Sequence, residues 1–252
     1  MEVIVVPAAQ DVATHAAGII SRLVVEKPDA VLGLATGASV KRVYAELHAL
    51  DFSRVTVFVL DEYVGLSRSH PASFHAFIEQ HFLSRVNVER RRVHLPPTEG
   101  DDLAGLCEKY ERDIRAAGGI DLQLLGIGRD GHLGFNEPTS SLASRTRIKT
   151  LTGLTREANR SGFGGDEVPL HVVTMGIGTI LEARHCLLVA DGSAKADAVA
   201  RMVEGPLTAM APASALQLHP QVTVIVDEAA AAGLSLRDYY REVQRNKPDW
   251  QR

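Results

Sequence analysis

The sequence predicts an α/β fold: a doubly wound, mostly parallel sheet with helices on both faces, a Rossmann-like three-layer sandwich. Two observations carry that prediction. Apolar runs of strand length alternate with helix-period segments along the chain. Several of those runs, such as Val55–Leu60, are apolar at almost every position, as a parallel strand covered on both faces must be.

Taken in order, Val3–Val6 is the first expected strand, followed by a helix over Asp11–Glu26 with Asp11 as its N-cap. Val31–Leu34 is the next strand. It leads through Thr36-Gly37-Ala38-Ser39 into a helix over about 40–50. Val55–Leu60 follows, then a helix near Ser73–Phe82 and another over Asp101–Ala117, stopped by Gly118-Gly119. Leu122–Leu125, Cys186–Ala190 and Val222–Val226 are further buried strands, and Ala194–Val203 and Ser235–Val243 further helices. With no repeat, low-complexity tract or Pro/Ser-rich linker, residues 1–252 read as one domain. The polar, Arg-, Thr- and Gly-rich stretch from Ser140 to Pro169 has weak periodicity and reads as a long, lid-like excursion.

Composition narrows the class. Hydrophobic residues make up 45% and charged residues 23%, ordinary for a globular chain. A net charge of −4 argues against a nucleic-acid partner, whose phosphates favour a basic surface. Cys107 and Cys186 form no metal or redox pattern and read as buried thiols of a reducing compartment. The short apolar start, Met1 to Pro7, lacks a basic lead, and no run reaches the ~20 residues a membrane helix needs. A cytoplasmic location without a membrane partner is expected.

In sheets of this kind ligands sit beyond the carboxyl ends of the strands, and three strand ends here carry chemistry. At Thr36, Gly37, Ala38 and Ser39 a strand enters a helix, so backbone N–H groups and a positive dipole end are offered to an anion; a plain capped turn is the competing use. It is not a Walker loop, lacking Gly-Lys-Ser/Thr. At Leu60-Asp61-Glu62 two carboxylates end an apolar strand. Neighbouring strand residues face opposite sides, so one can serve as a base while the other is structural.

The third end, Gly126 to Pro138, contains G-x-G-x-x-G at Gly126, Gly128 and Gly131. No helix can follow across Gly134 and Pro138, and no acid follows at Ser144–Leu151 to take a ribose. A dinucleotide site is therefore rejected. What remains is a glycine-permitted loop carrying Asp130, His132 and Glu137. A histidine exchanges protons near neutral pH, and flanking carboxylates can orient it; a packed structural histidine is the competing use. No second histidine stands at ligand spacing, so no metal is expected.

Together these segments resemble glucosamine-6-phosphate deaminase, in the sugar-phosphate isomerase/deaminase family. The resemblance runs from Val31 to about Asp227. It rests on Leu-Gly-Leu-Ala-Thr-Gly at 32–37, Leu60 to Leu66, Asp130-Gly131-His132 with Phe135-Asn136-Glu137-Pro138, Ser140 to Thr152, and Leu216-Gln217-Leu218-His219-Pro220. It implies conversion of glucosamine 6-phosphate and water to fructose 6-phosphate and ammonia, with no cofactor. His132, held by Asp130 and Glu137, would open the sugar ring, and Asp61 would carry the proton from C2 to C1. The phosphate would lie on Thr36–Ser39 with Lys195. Two positions depart from the family pattern: Ala38 replaces a glycine, and Ser161 stands where an arginine is expected, with Arg160 one place earlier as the substitute candidate. Ser140, Arg147 and Lys149 match residues that bind N-acetylglucosamine 6-phosphate in regulated members, and Arg145, Arg147 and Lys149 alternate onto one face if extended. Self-association is a further expectation of the resemblance. Rival readings are galactosamine-6-phosphate deamination, 6-phosphogluconolactone hydrolysis and a non-catalytic sugar-phosphate sensor. The last would need a DNA-binding segment for which the strand at Val3 leaves no room.

Overall fold

A computed structural model describes residues 1–248. Its larger sheet has seven parallel strands in the order β1-β10-β9-β6-β2-β3-β5. These strands are Glu2–Val6 (β1), Val31–Leu34 (β2), Thr56–Val59 (β3), Val93–His94 (β5), Leu122–Leu125 (β6), His185–Ala190 (β9) and Val222–Asp227 (β10). The central strands β2, β6 and β10 are buried at every residue, which is why their sequences are nearly continuous apolar runs. Around the sheet lie α1 (Ala9–Glu26), α2 (Ala38–Ala45), α3 (Phe74–Ile78), α4 (Leu103–Ala116), α6 (Ile177–Leu181), α7 (Ala196–Val203) and α8 (Arg237–Arg245).

Several expected boundaries move for local reasons. Asp11 is not the N-cap of α1: Ala8 holds that place, and Asp11, three residues on, accepts the Ala8 N–H at 3.0 Å. Helix α2 starts at Ala38 and stops at Ala45, short of residue 50, where the His48 ring binds the Ala45 carbonyl at 2.9 Å. The helix expected to Phe82 widens after Ile78 into a π-helical turn over Glu79–Leu83.

A second sheet, antiparallel and unexpected from sequence, is ordered β4-β8-β7: Asp61–Tyr63 (β4), His171–Thr174 (β8) and Arg147–Thr150 (β7). Leu60 joins the two sheets. Its N–H donates to Leu34 O in the larger sheet at 2.8 Å, while its carbonyl accepts Met175 N–H at 2.9 Å beside the smaller one. The stretch read as a structureless excursion thus contains β7, the helix α5 (Gly153–Asn159) and a 3₁₀ turn at Arg160–Phe163. It is fastened by its own apolar cluster, in which Leu151, Phe163, Val168 and Val172 pack with Tyr63 and Phe135. Helix α5 buries no residue, and Leu154 is 85% exposed, so this segment is held at its ends rather than along its helix.

Both cysteines are buried free thiols, and burial pushes them up to about 11 for Cys107 and about 12 for Cys186.

Candidate active site

Strands β2 and β6 are neighbours, yet the chain leaves them toward opposite edges of the sheet: β3 and β5 on one side, β9 and β10 on the other. This is the switch point where a crevice opens in doubly wound sheets. The turn after β2 and the loop after β6 are the two segments singled out by their residue types.

The loop is shaped by its glycines. Gly128 donates to His132 O at 3.0 Å and accepts from Gly131 N–H at 3.1 Å, closing a tight turn. A Cβ on Gly128 would stand 2.2–2.4 Å from three atoms of the His132 ring, so only glycine lets the imidazole lie on this backbone. Gly134, with φ +57°, brings the chain against the base of the crevice; its Cβ would meet Thr174 Oγ1 at 2.7 Å and Asp61 Oδ2 at 3.2 Å. Of the three glycines spaced like a nucleotide fingerprint, Gly128 serves close approach to the His132 ring and Gly131, at φ +89°, closes the turn, while Gly126 meets nothing within 4 Å.

Asp130 Oδ1 lies 2.6 Å from His132 Nδ1 and accepts the His132 backbone N–H at 3.2 Å. The imidazole beside it holds the Asp130 carboxyl below the usual carboxylate range. The ring contact is bent away from the N–H axis, so it is a close polar contact more than an aligned hydrogen bond.

Asp61 opens β4, immediately after the junction at Leu60, and its side chain points into the protein. It is only 4% exposed, and Oδ1 has no hydrogen-bond partner among the described residues. Burial, with the charge of Glu62 adding to it, pushes the Asp61 carboxyl up to about 8. Its neighbour has the opposite fate. Glu62 accepts backbone N–H groups from Tyr63 at 2.8 Å, Phe74 at 3.1 Å and His75 at 2.7 Å, and so ties down the start of α3. Burial still raises Glu62, against those three donors. The division expected from strand alternation is seen: one acid is structural and one is left unsatisfied.

The anchor side is built from two turns. Gly37 takes φ +127°, a conformation open to glycine, and sets the start of α2. The first-turn N–H groups after it have no partner within the helix. Arg42 of α2 holds Asp191 at 3.1 Å, joining this turn to the one that begins α7. There Lys195 Nζ donates to Ile127 O at 2.6 Å and so stands over the His132 loop. Burial, and repulsion from Arg129, lower the Lys195 ammonium.

Other expected site residues are placed differently. Glu137 forms no ion pair with His132 among the described residues; its carboxylate accepts a short hydrogen bond from the Thr155 hydroxyl of α5. Arg160 is exposed on the far part of the excursion and pairs with Glu157 at 3.2 Å. Ser140 is buried with Oγ unpartnered, its N–H bonded to Glu137 O at 3.0 Å. Arg147 and Lys149 do share the less exposed face of β7, but Arg145 does not belong to a free anion patch. Its guanidinium is taken by Glu111 and Glu182. Arg147 donates to Asn136 Oδ1 at 2.9 Å, and burial lowers it.

Three contributors were given no role of their own in the sequence. Asn136, fully buried, donates to Leu133 O at 2.9 Å and Met175 O at 2.8 Å, pinning the loop to the end of β8. Thr174 accepts the Phe135 N–H at 3.2 Å. Glu111 gathers Thr146, Thr179 and Arg145 at the root of β7. Among the described residues no group of three or more His, Cys, Asp or Glu is placed to hold a metal ion, and no helix is long and apolar enough to cross a membrane.

Residues 7–225 match the family model described as glucosamine-6-phosphate isomerases/6-phosphogluconolactonase. A glucosamine-6-phosphate deaminase of Arthrobacter sp. (strain FB24) is 54% identical, covering 100% of this chain and 99% of that protein. Its counterpart in Mycolicibacterium smegmatis is 52% identical over the same shares. Among solved structures, a monomeric glucosamine-6-phosphate deaminase superposes with a TM-score of 0.89 at 42% identity, over 92% of this chain and 100% of that one. The 6-phosphogluconolactonase of Trypanosoma brucei has a TM-score of 0.75 at 18% identity, over 93% and 98%, a likeness of fold alone.

Proposed function

Because this chain belongs to the glucosamine-6-phosphate isomerase/6-phosphogluconolactonase family, we propose that it is a glucosamine-6-phosphate deaminase, converting glucosamine 6-phosphate and water to fructose 6-phosphate and ammonia. The observation that carries the reading is the unpartnered, buried Asp61 carboxylate facing the glycine loop that bears His132. A lactone hydrolase has no use for a buried carbon base there.

With Nδ1 against Asp130, His132 has Nε2 available to take the proton of the anomeric hydroxyl and give it to the ring oxygen, which opens the ring. The substrate's own amine then makes an imine at C2 accessible through proton movement alone. Asp61 takes the proton from C2 and returns it to C1, giving an enolamine and then a ketimine, which water hydrolyses to the ketose and ammonia. Asp61 must be ionised for this, and an incoming C2 ammonium favours the ionised form. The phosphate is read onto Thr36, Gly37, Ala38 and Ser39 with Lys195, ahead of the exposed Arg160. Ser140, Arg147 and Lys149 are read as an effector site. Residues 1–252 are read as one domain, a cytoplasmic enzyme able to self-associate.

Ammonia and fructose 6-phosphate are measured from glucosamine 6-phosphate, beside galactosamine 6-phosphate and 6-phosphogluconolactone. Ammonia from the first substrate is expected. Lactone hydrolysis without ammonia would overturn the reading, and a preference for the second sugar would change its substrate.

A further inference from the structure

One ion pair at the anchor side has no role in the reading above: Arg42 of α2 with Asp191, just after β9. We propose that this pair is a clasp which sets the gap between the two phosphate turns, after β2 and after β9, and that Arg42 also cancels the charge that Asp191 would otherwise present to the phosphate. The proposal deepens the deaminase reading and rests on it for one thing, the placing of the phosphate on Thr36–Ser39 with Lys195.

The need for a clasp follows from the topology. Strands β2 and β9 are not neighbours; each pairs with β6, from opposite sides. Their ends are two strand spacings apart, roughly 10 Å, and no backbone ladder between them holds that distance. The His132 loop leaves the sheet through this gap. Lys195 crosses one half of it, from the β9 turn to Ile127 O at 2.6 Å. The Arg42–Asp191 pair joins the two sides directly, at 3.1 Å.

Both ends of the clasp are firmly mounted. Gly192, next to Asp191, takes φ +84°, and its N–H is held by the two carboxylate oxygens of Asp227 at 3.0 and 3.1 Å. On the other side Val40, Val43 and Tyr44 of α2 are buried, and the Tyr44 hydroxyl donates to Ala35 O at 2.6 Å, one residue before the anchor turn. A single Arg42 nitrogen, Nη1, serves both Asp191 oxygens and lies 3.5 Å from Ala38 O within the turn itself. An ion pair between loose side chains on a surface is worth little. Between two fixed mounts, a change in its length must move a turn.

The charges point the same way. Burial, and then Arg129, lower the Lys195 ammonium, and Asp191 is the first of two acids that oppose them, so its carboxylate lies within the field of the lysine. An anion that comes to Lys195 therefore also meets Asp191. With Arg42 in place, Arg42, Asp191 and Lys195 sum to one positive charge. Without Arg42 they sum to zero, and a bare carboxylate faces the incoming phosphate.

The test compares the wild-type chain with Arg42→Ala, Asp191→Ala, the two combined, and Arg42→Lys. Each is followed by steady-state deamination of glucosamine 6-phosphate and by calorimetric titration with inorganic phosphate. Loss of the clasp alone, in the double variant, should raise KM about fivefold, the scale of one partly exposed ion pair. Arg42→Ala should raise it about tenfold or more, because it also bares Asp191, so that removing Asp191 from that chain improves binding. Because one nitrogen makes the contact, Arg42→Lys should recover most of the loss. Throughout, kcat should stay within about twofold, which a damaged fold would not give. An unchanged KM for Arg42→Ala, a double variant weaker than Arg42→Ala, or losses confined to kcat would each overturn the proposal. Should the wild-type chain release no ammonia, the deaminase reading falls by itself, and the phosphate dissociation constants decide the clasp by showing or breaking the same order. A wild-type chain that binds no phosphate would overturn the clasp as well.

Discussion

Replacing Asp61 with asparagine should abolish catalysis and, at neutral pH, make the fold more stable, by an amount set by pH. The native carboxyl lies near 8 while an unfolded aspartate titrates near ~3.9. Between those values the unfolded chain releases a proton that the native chain keeps, so stability falls as pH rises through that window. At pH 7 about three pH units separate the two states, and at ~1.4 kcal/mol per unit the burden is on the order of 4 kcal/mol. An asparagine amide buried at the same place leaves polar atoms without partners, which gives back about 1–2 kcal/mol. The expected net gain at pH 7 is then about 2–3 kcal/mol, or a rise in Tm of roughly 4–12 °C for a chain of this size. Thermal unfolding of both chains from pH 4 to pH 9 tests this. The asparagine chain should be about 1–2 kcal/mol the less stable at pH 4; the gap should then change in its favour by about 1.4 kcal/mol per unit, cross zero near pH 5, and level off above 8. C2 proton exchange should vanish throughout. A gap that does not depend on pH, or an asparagine chain that is less stable at every pH, would refute the account of Asp61 as a buried, unsatisfied acid.

The same acid predicts that kcat/KM rises with pH toward a limb near 8 in the free enzyme, since only ionised Asp61 can take the C2 proton; a flat profile from 6 to 9 would contradict it. Gly128→Ala places a methyl group 2.2–2.4 Å from the His132 ring atoms, and kcat should fall about a hundredfold or more with the fold retained. Near-normal turnover would show that the ring need not lie where it does. Glu111→Ala strips a buried carboxylate from Thr146, Thr179 and Arg145, at a cost of about 3–5 kcal/mol, measured by urea unfolding; a loss below ~1 kcal/mol would mean that the root of β7 is held elsewhere. Lys195→Ala should raise KM far more than it lowers kcat, and an unchanged KM would remove Lys195 from the anchor.

Most of the larger sheet was legible because buried parallel strands have the simplest pattern available, an unbroken apolar run. Leu122–Leu125 and Val222–Val226 could hardly be anything else. The smaller sheet was hidden by the converse. β4 is three residues long and holds two acids, and β7 reads Arg-Ile-Lys-Thr with its less exposed face polar, so neither shows the alternation that marks a half-buried strand. In the site, the residues proposed to move protons were visible because their chemistry is uncommon at strand ends. Their partners were not. Glu137 is met by a hydroxyl 18 positions further along the sequence, and Thr155 looks like any threonine in a polar segment. Arg145 matched its neighbours in charge and spacing, but two acids from distant helices had already claimed it.

The junction at Leu60 also bears on how such an enzyme can be re-engineered. The smaller sheet meets the larger one through one peptide unit on the way in, at Leu60, and leaves near Met175. The chain between those crossings holds Asp61, the loop that Asn136 fastens to Met175 and the excursion, and it also returns to the larger sheet to supply β5 and β6. A chimera cut at these two points would carry Asp61 with its unsatisfied oxygen, the His132 loop and the excursion together, and with them β5 and β6, leaving the turns at Thr36–Ser39 and Gly192–Lys195 and the other five strands of the larger sheet in place. Grafts cut one residue later, between Asp61 and Glu62, would separate the unsatisfied acid from the acid that keeps α3 in place.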